Sequence, residues 1–339
     1  PTKKNSNSAD LKFVFKVAKE LRDTIKKKYK IIVTKSTVPV TTGDKIEKIL
    51  IKLKKKKLID VVSNPEFLRE GEAIRDFRYP DRVVIGSNNL KKTKPVLEKL
   101  YEPITKKGAN FIATTRRSSE LIKYAANAFL ATKITFINEI ANLCEEVGSN
   151  VEDIAIGIGT DSRIGSRFLR AGPAYGGSCF PKDTKALTKI GNKFRTNMSV
   201  VKSVINSNEQ RKSLLADKIL KILGNPTNKK VGFLGVTFKA NTDDMRDTQC
   251  LKIFPRLLKK GIKISYYDPT GEKKELKKIN YEKNPIEILK NNDLVVIHTE
   301  WDEFRSLDFN VAKSKKLKIF DMRNLCLLYT SDAADDGLS

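Results

Sequence analysis

The 339-residue chain lacks several features that would place it in a special class of protein. It has no run of about 18 apolar residues, so the sequence predicts no transmembrane helix. Its four cysteines lie far apart and form no Cys-x-x-Cys pair. This spacing argues against a disulfide framework or a zinc site, and it favours a reducing, cytoplasmic setting. We therefore expect a cytoplasmic globular protein with no metal site.

Acidic residues are scarce compared with basic ones: 40 Asp and Glu stand against 66 Lys and Arg, which gives a net charge of +26. An excess of this size is compatible with nucleic-acid binding. The lysines, however, form runs at residues 26–28 and 54–57 that are typical of solvated surface, and no aromatic residues alternate with them to stack on bases. Nucleic-acid binding is therefore the weakest interpretation, and we expect neither a nucleic-acid nor a membrane partner.

The first third of the chain alternates short apolar runs with helical patterns. The candidate strands are residues 31–33, 58–63, 82–86 and 110–113. The expected helices are residues 42–52 and 94–100. Continuous apolar runs separated by helices indicate a parallel sheet that is covered on both faces. Because no G-x-G-x-x-G turn follows an opening strand, we expect this region to be the remainder of a dinucleotide-binding domain whose first βαβ unit is missing.

A long helix is predicted over residues 118–147, because apolar side chains recur there every three or four positions without Pro or Gly. Ser118 is the expected N-cap, Glu120 suits the first turn, and Gly148 ends the helix. At ~1.5 Å per residue the helix is roughly 45 Å long, which is enough to connect two domains. Helical segments continue after it, interrupted by a glycine-rich stretch at residues 157–177.

The α/β pattern then restarts, and a helix is expected to open near Asp247. The candidate strands here are residues 231–235, 262–267, 294–297 and 317–320. The predicted fold class is α/β, with two Rossmann-like, doubly wound parallel-sheet domains joined by a central helical domain. The expected divisions are an incomplete NAD-binding domain at 1–115, the helical dimerisation domain at 116–215, a UDP-binding Rossmann-like domain at 216–328, and a non-native or disordered tail at 329–339.

The strongest local signal surrounds Cys179. Gly176 and Gly177 lie just before the cysteine, and Lys182 and Asp183 follow it. Glycines let a backbone approach a ligand closely, and a nearby cation lowers the pKa of a thiol and increases its thiolate fraction. A buried cysteine is commonly an inert small hydrophobe, but such a role does not need this setting. We therefore interpret Cys179 as a nucleophile.

Two polar residues of the predicted long helix form a second candidate group. Lys123 and Asn127 lie four positions apart and therefore share one face of the helix. A surface lysine is the commoner case, but the neighbouring alanines and Phe129 indicate a packed face, so we expect the pair to point inward. A lysine placed in this way can polarise a hydroxyl or stabilise an oxyanion.

A third group follows the predicted strands of the first domain. Residues 64–71 come directly after one strand, and ligands of parallel sheets collect at the carboxyl ends of strands. Glu66 and Glu70 are therefore candidates for binding a ligand or activating water. Residues 36–39 end the preceding strand and belong to the same edge.

The last domain offers a candidate phosphate site between a strand and a helix. Lys239, Arg246 and the backbone amides of residues 238–246 supply the positive charge and the N–H donors that a phosphate requires. The only histidine of the chain, His298, ends a later strand. For this residue we favour a paired structural role over acid–base catalysis.

Taken in order, these motifs resemble the UDP-glucose/GDP-mannose dehydrogenase family. The resemblance covers residues 1–324 and includes long, specific strings. They are STVPV from Ser36, NPEFLREGEAIRDFRYPDRVVIG from Asn64, ELIKYAANAFLATKITFINEIA from Glu120, DSRIGSRFLRAGPAYGGSCFPKD from Asp161, FKANTDDMRD from Phe238 and FDMRN from Phe320. PDRVVIG and the intact cysteine segment are more similar to the branch that acts on UDP-glucose than to the GDP-mannose or N-acetylmannosamine branches.

The resemblance implies an N-terminal NAD domain, a helical centre that forms a homodimer through the long helix, and a C-terminal UDP-binding domain. It also implies a four-electron oxidation of UDP-glucose that uses two NAD. The C6 alcohol becomes an aldehyde, Cys179 traps the aldehyde as a thiohemiacetal, a second oxidation gives a thioester, and water cleaves the thioester. Covalent catalysis of this kind divides one difficult step into easier ones.

Roles for single residues follow from the same resemblance. The implied catalytic residues are Cys179 as nucleophile, Lys123 and Asn127 at the oxyanion, Asp183 in proton transfer, and Glu70 and Thr37 at the hydrolytic water. The implied substrate contacts are Phe67, Leu68, Arg69, Glu70, Lys123, Asn127, Phe168, Leu169, Arg170, Ala171, Gly172, Gly176, Lys239 and Arg323, with Arg163 reaching into a partner subunit. The implied NAD contacts are Thr37, Glu70, Lys182 and Arg246.

Two features depart from the family pattern. Ala174 stands where the family usually has Gly, in a loop that is expected to contact the sugar. The expected absence of the glycine-rich NAD loop puts NAD binding in doubt and leaves open whether the fragment itself turns over. Two alternatives stay open: a sister dehydrogenase that acts on GDP-mannose or a UDP-N-acetylhexosamine, and a non-catalytic nucleotide-sugar-binding fragment.

Overall fold

A computed structural model describes residues 2–3, 6–309 and 317–325 of the chain. The predicted tail at 329–339 lies outside the described residues. By its internal contacts the chain divides into two compact units. The first unit consists of Pro1–Phe129 and Lys182–Val201, and the second unit consists of Leu130–Pro181 and Lys202–Ser339. The division into three domains that the sequence suggests stays a prediction.

The first unit opens with a short antiparallel pair, β1 (Thr2–Lys3) and β2 (Ser6–Ala9). Its main sheet has four strands in the spatial order β3–β4–β5–β6. These strands are β3 (Lys30–Thr34), β4 (Ile59–Ser63), β5 (Arg82–Ser87) and β6 (Asn110–Thr114). All four lie where apolar runs predicted strands.

One strand pair of this sheet corrects the prediction of a wholly parallel sheet. β3 pairs with β4, and β5 with β6, in parallel. β4 and β5 are antiparallel, however, with Val62 opposite Ser87 and Ser63 opposite Gly86. The connection between them therefore begins and ends at the same end of the two strands and does not cross over the sheet. An apolar run indicates a buried strand but carries no information about the direction of that strand.

Five helices precede residue 116 in the described part of the first unit. They are α1 (Lys12–Thr24), α2 (Thr42–Ile49), α3 (Ile51–Lys55), α4 (Ala73–Arg78) and α5 (Leu90–Thr105). The helix predicted at 42–52 is thus divided at Leu50. Successive residues of β4 point to opposite faces: Val61 packs in the cluster of α1, α2 and α3, whereas Val62 packs in the cluster of α5. The sheet is covered on both faces, as predicted.

The long helix is α6 (Arg116–Val147), which has 32 residues and is therefore about 48 Å long. It begins two residues before the predicted start, so Ser118 is not its N-cap. Instead, the backbone N–H of Ser118 donates to the Thr115 hydroxyl at 3.2 Å, which is the contact expected of a capping threonine. Gly148 ends the helix with φ of 68°, as expected for a glycine in this position.

Three helices follow, α7 (Val151–Gly159), α8 (Phe180–Lys193) and α9 (Ser199–Leu223). Within the second unit the chain then forms a five-stranded sheet. Its strands are β7 (Lys230–Leu234), β8 (Lys263–Tyr267), β9 (Asn280–Tyr281), β10 (Leu294–Ile297) and β11 (Lys318–Asp321). The accompanying helices are α10 (Cys250–Leu258) and α11 (Pro285–Asn291), with single 3-10 turns at Lys274–Leu276 and Asp302–Ser306.

All neighbouring strands of this second sheet are parallel, in the order β9–β8–β7–β10–β11. Counted from its first strand this is the order 3-2-1-4-5 of a doubly wound Rossmann fold. The strand order reverses between β7 and β10, so ligands are expected beyond the carboxyl ends of these two strands. The predicted α/β fold class is confirmed. Among the described residues, no helix is both long and apolar enough to cross a membrane.

Candidate functional site

The predicted site residues occur in both units, and in the first unit they cluster on the segment that follows β4 (residues 64–70, here the Asn64 segment). Asn64 is almost fully buried, and its amide donates to the Val84 carbonyl at 2.7 Å. Its side-chain oxygen accepts from the Lys35 ammonium at 2.9 Å and from the Tyr101 hydroxyl. This one side chain therefore fixes the start of the segment to two neighbouring strands and α5.

Lys123 of α6 points toward the Asn64 segment. Only 3% of Lys123 is exposed, and its Nζ lies 3.5 Å from the Glu66 carboxylate and 5.2 Å from the centre of the Phe67 ring. The other Glu66 oxygen accepts from the Leu68 backbone N–H at 2.6 Å. The inward orientation predicted for Lys123 is confirmed, and its charge is held between a carboxylate and an aromatic face.

Asn127, one turn further along α6, contacts the helix that follows the cysteine. Its amide donates to Asp183 Oδ2 at 2.6 Å, and both residues are buried. The Lys182 ammonium donates a hydrogen bond to the other oxygen of the Asp183 carboxylate. Burial raises the pKa of the neighbouring Tyr124, and the charges of Asp183 and Glu120 act in the same direction. The structure thus brings together Asn127, Lys182 and Asp183.

The remaining predicted residues of the first unit lie nearby in the chain but have separate contacts. Thr37 and Glu70 are half-buried, in loops that follow β3 and β4. The exposed Arg69 forms a two-pronged ion pair with Asp76, at 2.7 and 3.0 Å, and also contacts Glu72 at 2.9 Å. The guanidinium of Arg69 is therefore already paired within the first unit.

Glu120 caps the N-terminus of α2, whereas the sequence suggested that it stabilises the first turn of its own helix, α6. Its carboxylate accepts from the backbone N–H groups of Thr41 and Gly43, each at 2.7 Å, at the N-terminus of α2. Burial raises the pKa of Glu120, while these two hydrogen bonds oppose the shift. Thr41 has φ of 79°, an uncommon value for a β-branched residue. The Thr41 and Gly43 N–H groups at the N-terminus of α2 are therefore already bonded to the Glu120 side chain.

In the second unit, Cys179 ends a loop (residues 172–179, here the cysteine loop) that packs closely on residues 238–247. Gly177 has φ of 78°, and its N–H donates to the Arg246 carbonyl at 2.9 Å. A Cβ at Gly177 would lie 2.6 Å from the Phe238 ring, and one at Gly176 would lie 2.6 Å from the Asp247 carbonyl. The glycines are required because no side chain fits at this contact.

The cysteine itself is half-buried and directly precedes α8. Its sulfur lies 3.5 Å from the Ser178 hydroxyl. Phe180 packs edge-on against Phe168 and Tyr175, with 6.2 Å between ring centres in both pairs. Phe168 has φ of 66°, an unfavourable value for a bulky residue, and such strain commonly occurs at functional sites.

The loop that was predicted to contact the sugar is held by two residues of the central helices. The Gly172 N–H donates to the Asn138 side chain at 2.8 Å, and the Gly172 carbonyl accepts from Arg211 Nε at 2.7 Å. Arg211 also donates to the Asn138 carbonyl at 2.9 Å. Burial lowers the pKa of Arg211 to about 10, and the charge of Arg323 acts in the same direction. Leu169 and Ala171 are buried beside this contact.

Arg323 follows β11 and lies at the carboxyl edge of the second sheet. Its guanidinium donates to the His298 carbonyl at 2.9 Å and to the Phe238 carbonyl at 3.0 Å, and it pairs with Glu300 at 2.8 Å. Arg170, which is exposed, donates to the Arg323 carbonyl at 3.3 Å. Burial lowers the pKa of Arg323. Two predicted substrate residues thus meet at this edge.

The other cationic residues predicted for the second unit are more exposed. Arg246 donates to Asp244 at 2.8 Å, and its side chain is 64% exposed. Lys239 is half-buried, with its ammonium 5.9 Å from the centre of the Phe238 ring. Arg163 is exposed and pairs with Asp161 two residues earlier.

His298 has the paired position that the sequence favoured. It is fully buried, and its ring nitrogens lie 3.1 Å from the Gln249 side-chain oxygen and 3.0 Å from the Thr299 hydroxyl. Burial lowers the pKa of His298 to about 3, and the charge of Arg323 contributes to the shift. The imidazole is therefore neutral at physiological pH.

Three polar residues that hold the loops were missed by sequence reasoning: Asn138, Arg211 and Gln249. Each lies in a helix or at a helix end, and each contacts loop backbone more than thirty residues away along the chain. No local pattern indicates such a partner. A polar residue on an otherwise apolar helix face is the one signal that could have identified Asn138 in advance.

Three family models match the chain. The NAD binding domain of the UDP-glucose/GDP-mannose dehydrogenase family matches residues 1–105, its central domain matches residues 117–210, and its UDP binding domain matches residues 232–327. Together these models account for most of the chain.

Curated relatives and solved structures agree with the family models. The chain is 46% identical to a UDP-glucose 6-dehydrogenase of Rhizobium meliloti, over 96% of this chain and 76% of that protein. It is 43% identical to a UDP-glucose 6-dehydrogenase of Bacillus subtilis, over 98% of this chain and 75% of that protein. A UDP-glucose dehydrogenase structure from Pyrobaculum islandicum superposes with a TM-score of 0.86 at 32% identity, covering 95% of this chain and 74% of that one. The chain therefore belongs to the UDP-glucose/GDP-mannose dehydrogenase family.

Proposed function

We propose that this chain is a UDP-glucose 6-dehydrogenase, which oxidises UDP-glucose to UDP-glucuronate with NAD. The identity of 46% to a curated UDP-glucose 6-dehydrogenase over 96% of the chain is the observation that carries this proposal. The structure is compatible with it, because a half-buried cysteine ends a loop whose glycines are required by close packing. The NAD binding and UDP binding family models supply the cofactor class and the class of substrate.

Cys179 is the nucleophile of the proposed mechanism. The C6 alcohol first loses a hydride and a proton and becomes an aldehyde. The Cys179 thiolate adds to this aldehyde and forms a thiohemiacetal, and loss of a second hydride and a proton from this group gives a thioester. Attack by water then releases the carboxylate and returns the thiol. NAD, when bound, provides the hydride acceptor for both oxidations.

Lys123 and Asn127 are the proposed donors to the developing oxyanion. Their burial favours this role, because hydrogen bonds and charges are stronger where water is excluded. Asp183 takes part in proton transfer through water, with its carboxylate oriented by Asn127 and Lys182. Glu70 and Thr37 place or activate the hydrolytic water.

The residues proposed to contact NAD are Thr37, Glu70, Lys182 and Arg246. Their hydroxyl, carboxylate and cationic groups fit the ribose hydroxyls and phosphates of a dinucleotide. The N-terminus of α2 does not fit a phosphate, because the Glu120 carboxylate already accepts its N–H groups. In the described part of the first unit, no glycine-rich turn between a strand and a helix supplies a phosphate cradle.

The UDP part of the substrate is assigned to the second sheet. Its switch point lies beyond β7 and β10, where Lys239 and Arg323 are located. The sugar is assigned to the Asn64 segment and to residues 168–172, together with Gly176. Lys123 and Asn127 are assigned to the sugar as well, and Arg163 acts from a partner subunit.

A homodimer through α6 is part of the proposal. Phe136, Leu143 and Val147 are 49%, 58% and 64% exposed and lie seven and four positions apart, so they form one apolar stripe on the helix. A stripe of this kind is typical of a helix–helix contact. A Leu143→Glu variant should convert the dimer to a monomer in light scattering, and an unchanged mass would remove this part of the proposal.

A cytoplasmic location is also proposed, because Cys144, Cys179 and Cys250 are all free thiols.

The decisive experiment compares Cys179→Ser with the unmodified chain. NADH formation from UDP-glucose should fall by ~10³-fold or more, because a nucleophile cannot be replaced by its neighbours. The control is Cys144→Ser, a buried cysteine of α6 that should keep its turnover. Unchanged turnover in Cys179→Ser would remove the mechanism.

Melting with nucleotide sugars separates the remaining alternatives. UDP-glucose at 100 times its Kd should stabilise the chain by about 2.7 kcal/mol. A larger shift with GDP-mannose or UDP-N-acetylmannosamine would identify a sister dehydrogenase. A shift with UDP-glucose but no NADH from the unmodified chain would identify a non-catalytic binding protein.

A further inference from the structure

The backbone at Ala174 has a conformation that residues with a side chain rarely adopt. Its φ is 150°, in a region occupied almost only by glycine. The residue is 7% exposed and lies five positions before Cys179 in the cysteine loop. Such a conformation costs free energy and persists only where the surroundings enforce it. The contacts of Ala174 should therefore contain a group that enforces it.

Two buried side chains hold the peptide that joins Ala174 to Tyr175: Asn208, whose Oδ1 accepts from the Tyr175 N–H at 2.9 Å, and Gln249. The Gln249 amide nitrogen donates to the Ala174 carbonyl at 2.7 Å and would lie 3.2 Å from a Cβ at Gly176. Gln249 is fully buried, just before the start of α10. A buried amide of this kind cannot exchange its partner for water, so the peptide carbonyl of Ala174 is held in one direction.

His298 is the second hydrogen-bond partner of Gln249. Because the amide nitrogen of Gln249 faces Ala174, its oxygen faces His298 Nε2 at 3.1 Å and accepts a hydrogen bond from the N–H at that nitrogen. The neutral imidazole has one N–H, which is thereby assigned to Nε2. The Thr299 hydroxyl lies 3.0 Å from the other ring nitrogen and 2.8 Å from the Thr237 carbonyl, and it has one proton to donate between these two acceptors. A flipped Gln249 would turn its oxygen toward the Ala174 carbonyl, which is unfavourable.

The same histidine is connected to residues proposed to bind UDP. The His298 carbonyl accepts from Arg323 at 2.9 Å, and Arg323 also donates to the Phe238 carbonyl. Phe238 in turn packs against Gly177 of the cysteine loop. The carboxyl edge of the second sheet and the cysteine loop therefore share one set of buried contacts.

We propose that Gln249 and His298 are positioning residues, which together clamp the Ala174 peptide in its glycine-like conformation and so set the backbone that carries Cys179. Neither residue touches the reacting atoms. The significance of the clamp for catalysis rests on the proposed function. The clamp itself, however, is a property of the loop and can be measured without turnover.

The first measurement is the alkylation rate of Cys179 by iodoacetamide, followed by peptide mass spectrometry so that Cys250 is counted separately. Gln249→Met keeps the length of the side chain but removes both hydrogen bonds. We expect its Cys179 rate to change by about 5-fold or more, which is the effect on the loop's conformational equilibrium of losing the hydrogen bond to Ala174. Gln210→Met, at an exposed position of α9, is the matched control and should leave the rate unchanged.

The second measurement separates positioning from simple packing. Glycine adopts the Ala174 conformation without help, so Ala174→Gly added to Gln249→Met should return the alkylation rate to within about 2-fold of the unmodified chain. If Gln249 only filled space in the core, glycine at position 174 would not restore anything. An unchanged rate in Gln249→Met, or a loss that Ala174→Gly does not rescue, would overturn the proposal.

Turnover gives an independent reading of the same variants. Gln249→Met should lower kcat for UDP-glucose oxidation by about 10-fold, because a small misplacement of a nucleophile is costly, while KM stays within about 2-fold. If Gln249→Met does not melt cooperatively, His298→Leu is taken through the same measurements with the same expected directions. An unmodified chain that produces no NADH while the alkylation results hold would contradict the proposed function and leave the clamp intact.

Discussion

The Asn64 segment and the cysteine loop both carry predicted site residues, but they are held by different kinds of contact. Beyond Asn64 itself, charged side chains hold the Asn64 segment: Glu66 faces Lys123, and Arg69 pairs with Asp76. The cysteine loop is held by direct packing of its backbone at Gly177 and by hydrogen bonds to its carbonyls, from Arg211 at Gly172 and from Gln249 at Ala174. The first should therefore respond to salt and to the loss of charge, and the second to small changes of volume.

The largest effect is expected where the cysteine loop has no room for a side chain. Gly177→Ala places a Cβ 2.6 Å from the Phe238 ring at φ of 78°. The free energy of unfolding should fall by about 3 kcal/mol in urea denaturation, from strain and overpacking together. Gly165→Ala is the matched control, because Gly165 has φ of 71° but no atom within 4 Å of its Cβ, and it should lose only about 1 kcal/mol. Equal losses would show that packing against Phe238 is unimportant.

A smaller, pH-dependent effect should arise from His298. Its pKa is about 3 in the folded chain and near 6.5 when exposed, so between these values the unfolded chain binds a proton that the folded chain does not. Stability should therefore fall as pH falls through this window, by up to about 1.4 kcal/mol per pH unit. His298→Gln should remove this part of the slope between pH 6 and pH 4.5, as measured by urea denaturation. Parallel curves for the two proteins would contradict the assignment.

The smallest effect is expected at the charged contacts of the Asn64 segment. Hydrogen bonds from Arg69 hold the pKa of Asp76 below its usual range, so the carboxylate stabilises the fold above its unfolded pKa and ceases to do so as pH falls through the lowered value. Asp76→Asn should cost at most about 1 kcal/mol, because Arg69 is 55% exposed, and less in 1 M NaCl. Glu102→Gln, which breaks an exposed pair on α5, should cost less still. A loss that does not depend on salt would mean that the pair is not the cause.

The positions of the strands could be predicted from the sequence, whereas their directions and the start of α6 could not. Strands were predicted because burial on both faces produces a largely apolar run, as in β10 and, apart from Asp60 and Ser63, in β4. The antiparallel direction of β5 was not predicted, since apolar runs look alike in both directions. The start of α6 was missed by two residues because Thr115 and Ser118 are both acceptable capping residues, and the choice between them depends on φ and ψ.

For the site, the sequence indicated which residues carry chemistry but not what holds them. The inward positions of Lys123 and Asn127 were predicted from their spacing and their apolar neighbours, and the structure confirms that both are buried, although Phe129 itself is 65% exposed. The roles of these residues and of Cys179 stay predictions. The Gln249 contact joins residues 75 positions apart, and no pattern within a helix or loop reports on a partner at that distance. Contacts of this kind depend on the folded backbone alone.

The pairing of Ala174 with Gln249 restricts the order in which these positions could change during evolution. Exchange of Ala174 for glycine is tolerated first, because glycine adopts the same backbone angles with or without the clamp. Loss of Gln249 while Ala174 is still present would pass through a chain in which the proposed nucleophile, Cys179, is displaced. Evolution away from this arrangement is therefore easy when Ala174 changes to glycine before Gln249 is lost. It is difficult when Gln249 is lost first.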